Sequence, residues 1–421
     1  VKKRLIWLVP VILVLTIGLL ALVAPLVIPA DRTAALLADR VNAATGWNLE
    51  LDSVKVRVWP HAGLKLGSGR MTGLPPDSGV EEAGWQGGAL RFSLLPLLRG
   101  RLEAASATLD GVDCRGRNGD HAYTLAGGDL RLKDLALDLE NETAAILPAA
   151  GPVRWELAAS RLQWDAYPLE NLDAEGWADA DSLVAETWGA KLSGGSVSGR
   201  AAVALGAGAA IFPFRFALTV QDVPAAALLG DSAPDLAAHW EGNLAGSAAG
   251  WGTVRDGKLV PDSLELEGIA VGEEGIVHAT DWLGDIASYL GKRQDLMEVR
   301  YDHLEHPLLV RDGRFAVDLQ ASGPDTDWRA SGSIGLAGDL AVDIQVKLPA
   351  GFTPDLGSLF LLAASLRDKE GRLTLAAKLT GTTPQPRLVL DLDRTLQGTG
   401  ADPGKALEKG LGGLLDKWKV R

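Results

Sequence analysis

Hydrophobic and polar residues alternate along most of this chain, and the alternation stops and restarts at turn-forming residues. In LRFSLLPLLRGRLEAASATLDGV (90–112), Leu90, Phe92 and Leu94 fall on one side and Arg91 and Ser93 on the other. Pro96 breaks the run, Arg99-Gly100-Arg101 turns it, and it resumes toward Leu109 and Val112. A repeat of two is the period of a β-strand. FRFALTV places Phe214, Phe216, Leu218 and Val220 on one side, and FAVDLQA does the same with Phe315, Val317 and Leu319. LAVDIQVKL sets Leu340, Val342, Ile344, Val346 and Leu348 against Asp343, Gln345 and Lys347. RLVLDLD sets Leu388, Leu390 and Leu392 against Arg387, Val389 and two aspartates. NLELDSVKVRVW (48–59) reads as one strand with a bulge between its two apolar sets. Turn signals such as Arg311-Asp312-Gly313 and Asp256-Gly257 separate the runs.

One apolar and one wet face per strand is the mark of antiparallel sheet, so the chain is expected to be mainly β. Its apolar face must be covered by a second sheet, by helices or by a ligand. Few helices are predicted. One follows residue 30, with Asp31 as cap, Leu37, Val41 and Ala44 on a face, and Gly46 at its end. Others are expected in 281–290, in 354–368, and at the C-terminus, where Asp402 caps Pro403 and Leu407, Leu411, Leu414, Leu415 and Trp418 share a face. These are too few to cover so much sheet, which either folds on itself or stays partly open.

Residues 5–30 break the pattern. They carry no charge and a single hydroxyl, Thr16, and at about 1.5 Å per residue they would span a ~30 Å hydrocarbon core with some tilt. Lys2, Lys3 and Arg4 precede the run, so the expected arrangement is a signal anchor with a cytoplasmic N-terminus. Trp7 suits the interface on that side. A cleaved signal peptide, with Ala30 before the cut, is the alternative, but its apolar region is usually only about 7–15 residues.

Composition narrows the function. Gly, at 50 of 421 residues, is enriched in a way that suits many tight turns. A net charge of −13 argues against a nucleic-acid partner and against a body that lies on anionic headgroups. Cys114 is the single cysteine, so no intramolecular disulfide or thiolate zinc cluster can form.

Catalytic patterns are weak. His303 and His306, with Asp302 or Glu305, read more readily as a polar turn before Pro307 than as metal ligands. NLDAEG (171–176) starts like a calcium loop, but Ser182 stands where the bidentate Glu belongs. GTVRDGKL (252–259) nearly spells a phosphate loop, with Leu259 in place of the magnesium-binding hydroxyl. Asp391 and Asp393 share the wet face of a strand, and Cys114 with His121 lacks any third partner. Trp155 and Trp164 could touch a ligand or simply pack. No enzyme activity, metal or cofactor is expected.

Residues 1–115 resemble the N-terminal part of the AsmA family of bacterial envelope proteins. The likeness lies in the basic-flanked apolar segment, the short helix, ATGWNLELDSVKVRVWPHAGLKLGSGRMTG (44–73) and SLLPLLRGRLEAASATLDGV (93–112). Residues 162–199 look like the family's recurring strand–turn unit, and KLTGTTPQPRLVLDLDRTLQ (378–397) is similar to its C-terminal segment. The resemblance implies a basic end (1–4), an anchor (5–30), an N-terminal unit (31–115), a middle β region (116–275), a C-terminal β region (276–397) and an amphipathic helix (398–421). That helix is expected to cap the open end of the groove, with contact to a membrane as the alternative. The implied fold is an elongated, twisted, U-shaped antiparallel sheet with a hydrophobic groove, projecting from the bacterial inner membrane into the periplasm. The family is related to TamB and to the chorein-type bridge-like lipid-transfer proteins.

The implied function is phospholipid binding and passive transfer in support of outer-membrane biogenesis. The groove candidates are Phe92, Leu94, Phe214, Phe216, Leu218, Val220, Val317, Leu319, Val342, Ile344, Val346, Leu388 and Leu390. At about 4.8 Å per strand, a dozen or more strands make a trough on the order of 60–80 Å, so a partner protein of the envelope, an oligomer or a more local role is expected. The alternative is a scaffold that assembles outer-membrane proteins by pairing with their strands.

Overall fold

The computed structural model describes residues 48–57, 62–73, 79–92, 104–119, 121–135, 151–205, 211–230, 234–255, 258–278, 298–352, 367–383 and 385–391, with single positions within 34–42 and 394–395. The apolar segment 5–30, Leu94, and the helices expected at 281–290, 354–366 and 398–421 lie outside the described residues. Among the described residues, no helix is long and apolar enough to cross a membrane.

The described chain is mainly β, with twenty-two strands in antiparallel sheet and a few short helices. It divides into two compact units, residues 1–191, 198–214 and 255–258 in the first, and 192–197, 215–254 and 259–421 in the second.

The first unit opens with helical positions Ala34, Ala35, Ala38, Asp39 and Asn42. The Asn42 side chain closes this stretch onto the sheet by accepting from the Leu49 amide (2.7 Å) and donating to its carbonyl (3.3 Å). Then come β1 (Asn48–Leu51), β2 (Val54–Arg57), β3 (Gly63–Leu66), β4 (Gly69–Thr72), β5 (Val80–Trp85) and β6 (Gly87–Phe92). The bulge expected between β1 and β2 is not formed: Asp52-Ser53 face Gly67-Ser68 two against two, so neither side carries an extra residue. Long strands follow: β7 (Ala104–Asn118), β8 (His121–Lys133), β9 (Val153–Trp164), β10 (Tyr167–Ala178) and β11 (Ser182–Leu192). The division between the units falls within β12 (Gly195–Ala204) and β13 (Ile211–Pro224).

In the second unit α1 (Ala225–Leu229) and α2 (Pro234–Ala237) precede β14 (Trp240–Arg255), β15 (Lys258–Leu259) and β16 (Glu265–Val277). A run of hairpins then completes the described chain: β17 (Val299–Arg311), β18 (Arg314–Ser322), β19 (Asp327–Gly335), β20 (Asp339–Lys347), β21 (Thr374–Thr382) and β22 (Gln385–Leu390). The β17–β18 turn is the one Asp312-Gly313 signals, with φ of 51° and 68°, as a type I′ turn requires.

Two features shape these sheets. Large aromatics lie over glycines directly opposite them: Trp85 over Gly69, Tyr123 over Gly116, Trp155 over Gly176 and Tyr301 over Gly275. Absence of a Cβ lets the ring lie flat on the neighbouring strand, which accounts for part of the glycine surplus. The second feature is a row of left-handed residues that switches which side chains face inward. Gly127 and Asn171 have φ of 59° and 52° and flank Ser160. Inward positions therefore pass from Leu162 to Ala159 on β9, not from Leu162 to Ser160. Glu274, with φ of 53°, marks a second such kink, so that Tyr301 and Leu304 are both buried on β17.

Candidate functional site

The first unit carries a continuous apolar face built from four cross-strand rows on β7 to β10. Cys114, Leu125, Leu162 and Leu169 form one row, and Val112, Gly128, Ala159 and Leu172 form the next. Leu109, Leu130, Leu157 and Ala174 follow, then Ala107, Leu132, Trp155 and Gly176. The opposite face of the same strands carries Asp129, Arg131, Arg154, Glu156, Asp173 and Glu175. Leu109, Leu125, Leu130, Leu132, Leu157 and Leu162 are only half-buried. Among the described residues, the substantial contacts between elements follow the strand ladders, apart from α1 against α2.

The second unit is different. Its equivalent face is a filled core of Trp328, Val342, Ile344, Val346, Leu348, Leu373 and Leu375, each less than 9% exposed. Trp240 donates its indole N–H to the Tyr301 hydroxyl at 2.8 Å and meets that ring edge-on at 6.4 Å. Burial pushes the Tyr301 phenol up, and the Trp240 hydrogen bond opposes that rise. Leu348 and Leu373 are fully buried and joined through the backbone, Leu348 N–H to Leu373 carbonyl, at 2.8 Å.

The groove candidates divide accordingly. Val342, Ile344 and Val346 are sealed in the second unit's core and present no open surface. Val317, Leu319 and Leu388 are partly buried against that core. Phe214, Phe216, Leu218 and Val220 are half-buried on one side of β13, with Phe216 reaching the backbone of Gly250 on β14. Phe92 is half-buried at the end of β6, where the register with β7 slips by one residue. Leu390 belongs to β22, opposite Ala377. The rows of β7 to β10 were not singled out by the sequence reading. Their alternation is broken by the left-handed row, but LRL at 130–132 and the leucines flanking Ala158-Ala159-Ser160 carry a readable signal.

The chemistry considered from sequence acquires plain structural roles. His303 and His306 lie on opposite faces of β17, with His303 exposed beside Glu305 and His306 8% exposed and stacked on Phe315 at 5.2 Å. Burial holds the His306 imidazole below its ordinary value. Among the described residues, no cluster of His, Cys, Asp or Glu could hold a metal ion. NLDAEG is part of β10, and residues 252–255 and 258–259 of the phosphate-loop-like stretch are strand. Cys114 sits in an apolar row, where burial pushes its thiol up against the opposing effect of a Tyr123 hydrogen bond, the reverse of an activated thiolate. His121 pairs instead with Asp165, at 2.6 Å.

Asp391 is a cap. Its carboxylate accepts from the Arg394 amide at 3.1 Å and meets the Lys378 ammonium at 3.0 Å, and these two hold its carboxyl below the usual range. Thr395, 1% exposed, donates to the Asp391 carbonyl at 2.8 Å and accepts from the Ala376 amide at 3.0 Å. Trp155 is folded onto Gly176, whereas Trp164 is 38% exposed and stacked on Tyr123 at 6.0 Å.

The arrangement can therefore shield hydrocarbon on one side of the first unit. Comparison with protein-family models, with curated proteins and with solved structures returns no match.

Proposed function

We propose that this chain is a periplasmic lipid-binding protein, anchored in the bacterial inner membrane by residues 5–30, that supports outer-membrane biogenesis by passive phospholipid transfer. The observation that carries this reading is the apolar face of β7 to β10, nonpolar across four strands, with most of its leucines only half-buried. An acyl chain laid on it would gain about 0.8 kcal/mol per methylene removed from water. Every row is nonpolar and carries at least one leucine, so that gain changes little from one position to the next. Such a surface holds the chain while letting it slide. Headgroups stay in water, and no covalent step is required. The elongated U-shape and a groove capped by the C-terminal helix belong to the same proposal.

A transfer assay tests it. Full-length protein reconstituted in donor vesicles should accelerate movement of a fluorescent phospholipid to acceptor vesicles, and Leu130→Asp with Leu157→Asp should abolish the acceleration. Transfer no faster than protein-free vesicles would overturn the reading. Capture of unfolded outer-membrane strand peptides without lipid transfer would favour the scaffold alternative.

A further inference from the structure

The polar side of the first unit holds a cluster of cations that the net charge of −13 conceals. Lys55 on β2 stands directly opposite Lys65 on β3. In the next row Arg57 and Arg91 flank Gly63, which sits between them on β3. All four side chains are exposed, and among the described residues none of them has an ion-pair partner. Some cations elsewhere in the unit are paired, as Arg70 and Arg115 are with Glu82 and Lys133 with Glu156. Like charges directly across an antiparallel ladder oppose pairing, so an unmatched Lys–Lys contact works against the sheet unless something anionic offsets it. Three of the four, Arg57, Lys65 and Arg91, line a hollow of about 700 Å³, with Asp110 as its single carboxylate and glycine backbone at Gly63 and Gly87. The same ladder runs on through Ala89 and Thr108 to Arg131, where Glu156 stands opposite and ends the positive run.

We propose that this basic face docks on the anionic phospholipid headgroups of a bilayer. Charge complementarity selects the partner: four exposed cations side by side on one sheet face match a layer of phosphates, and each lysine or arginine held at such a surface adds to binding. Val54, Val56, Leu64, Leu66 and Leu90 alternate with the cations and so belong to the other face, which makes the contact electrostatic and not insertive. Lys55 also follows closely on the apolar segment 5–30, which places these strands near the membrane if that segment is anchored. The inference rests on the anchoring reading for that proximity, and it is independent of the apolar face. It reverses the expectation that the body as a whole is repelled by anionic lipid, because attraction over a Debye length of about 8–10 Å is set by local charge.

Amide hydrogen exchange on the full-length chain tests it. The chain would be reconstituted in phosphatidylcholine vesicles with and without a one-third share of phosphatidylglycerol. Peptides covering β2, β3 and β6 should exchange about tenfold more slowly in the anionic vesicles, and high salt should erase the difference. Replacing all four residues (Lys55→Glu, Arg57→Glu, Lys65→Glu, Arg91→Glu) should abolish it. If that variant fails to fold, the salt response of the unaltered chain decides. Equal exchange in both vesicles, or protection given by soluble heparin but not by anionic vesicles, would overturn the proposal. Failure of the chain to float with phosphatidylcholine alone would strike the anchoring reading, while the phosphatidylglycerol comparison would still decide the docking.

Discussion

Trp155 and Gly176 are directly opposed on β9 and β10, and the indole covers the glycine so closely that a methyl group there would lie 2.8 Å from its Cζ2. The Val184 carbonyl closes the same space from the other side. The carbonyl is backbone and cannot retreat without disturbing the strand that carries it. Gly176→Ala should therefore lower stability by about 1–3 kcal/mol, seen as a reduced midpoint in denaturant unfolding. A neutral result would mean that the aromatic–glycine pairs do not constrain the sheet.

Thr395 ties the end of the described chain to β21 through its two hydrogen bonds. Thr395→Val keeps the shape but leaves the buried Ala376 amide unpaired. A loss of about 1–3 kcal/mol is expected from thermal melts, whereas Thr395→Ser should retain most of the bond.

His306 should give the fold a pH dependence of definite sign. Its folded value lies below the unfolded value of about 6.5, so above that pH both states are neutral and its share of stability is complete. As the pH falls through about 6.5 toward the folded value, the unfolded chain takes up a proton that the folded chain does not, and stability declines. His306→Phe should flatten the difference in unfolding midpoint between neutral and mildly acidic pH. An unchanged slope would show that other groups set it.

Ile344 and Leu157 separate a core from an open face. Ile344 is 6% exposed in the second unit's packed cluster, so Ile344→Asp should cost more than about 4 kcal/mol and unfold that unit. Leu157 is half-buried on the first unit's face, and Leu157→Asp should keep the circular dichroism of the folded chain while reducing lipid capture. Equal damage from both would mean that the first unit is also closed.

These two residues also show what the sequence could tell. LAVDIQVKL reads as strand, and the alternation correctly assigned β20 and the Asp312-Gly313 turn, because period and turn chemistry are local. Whether a strand's apolar side is sealed depends on elements far away in the chain, so Val342, Ile344 and Val346 looked no different from open positions. The kink at Asn171 was invisible for another reason. A left-handed asparagine inside a strand carries no mark in the hydrophobic pattern, yet it moves every later inward position by one. The cation cluster was hidden because Lys55, Arg57, Lys65 and Arg91 are brought together only by ladder register.

The most direct measurement exploits the strand period itself. A benzophenone side chain would be installed in the full-length chain at Leu157, on the apolar face, and separately at its neighbour Ala158, which is exposed on the opposite face. After irradiation of intact cells, phospholipid should be covalently attached at position 157 and absent at position 158. No lipid at 157, or equal labelling at both, would contradict lipid binding on this sheet.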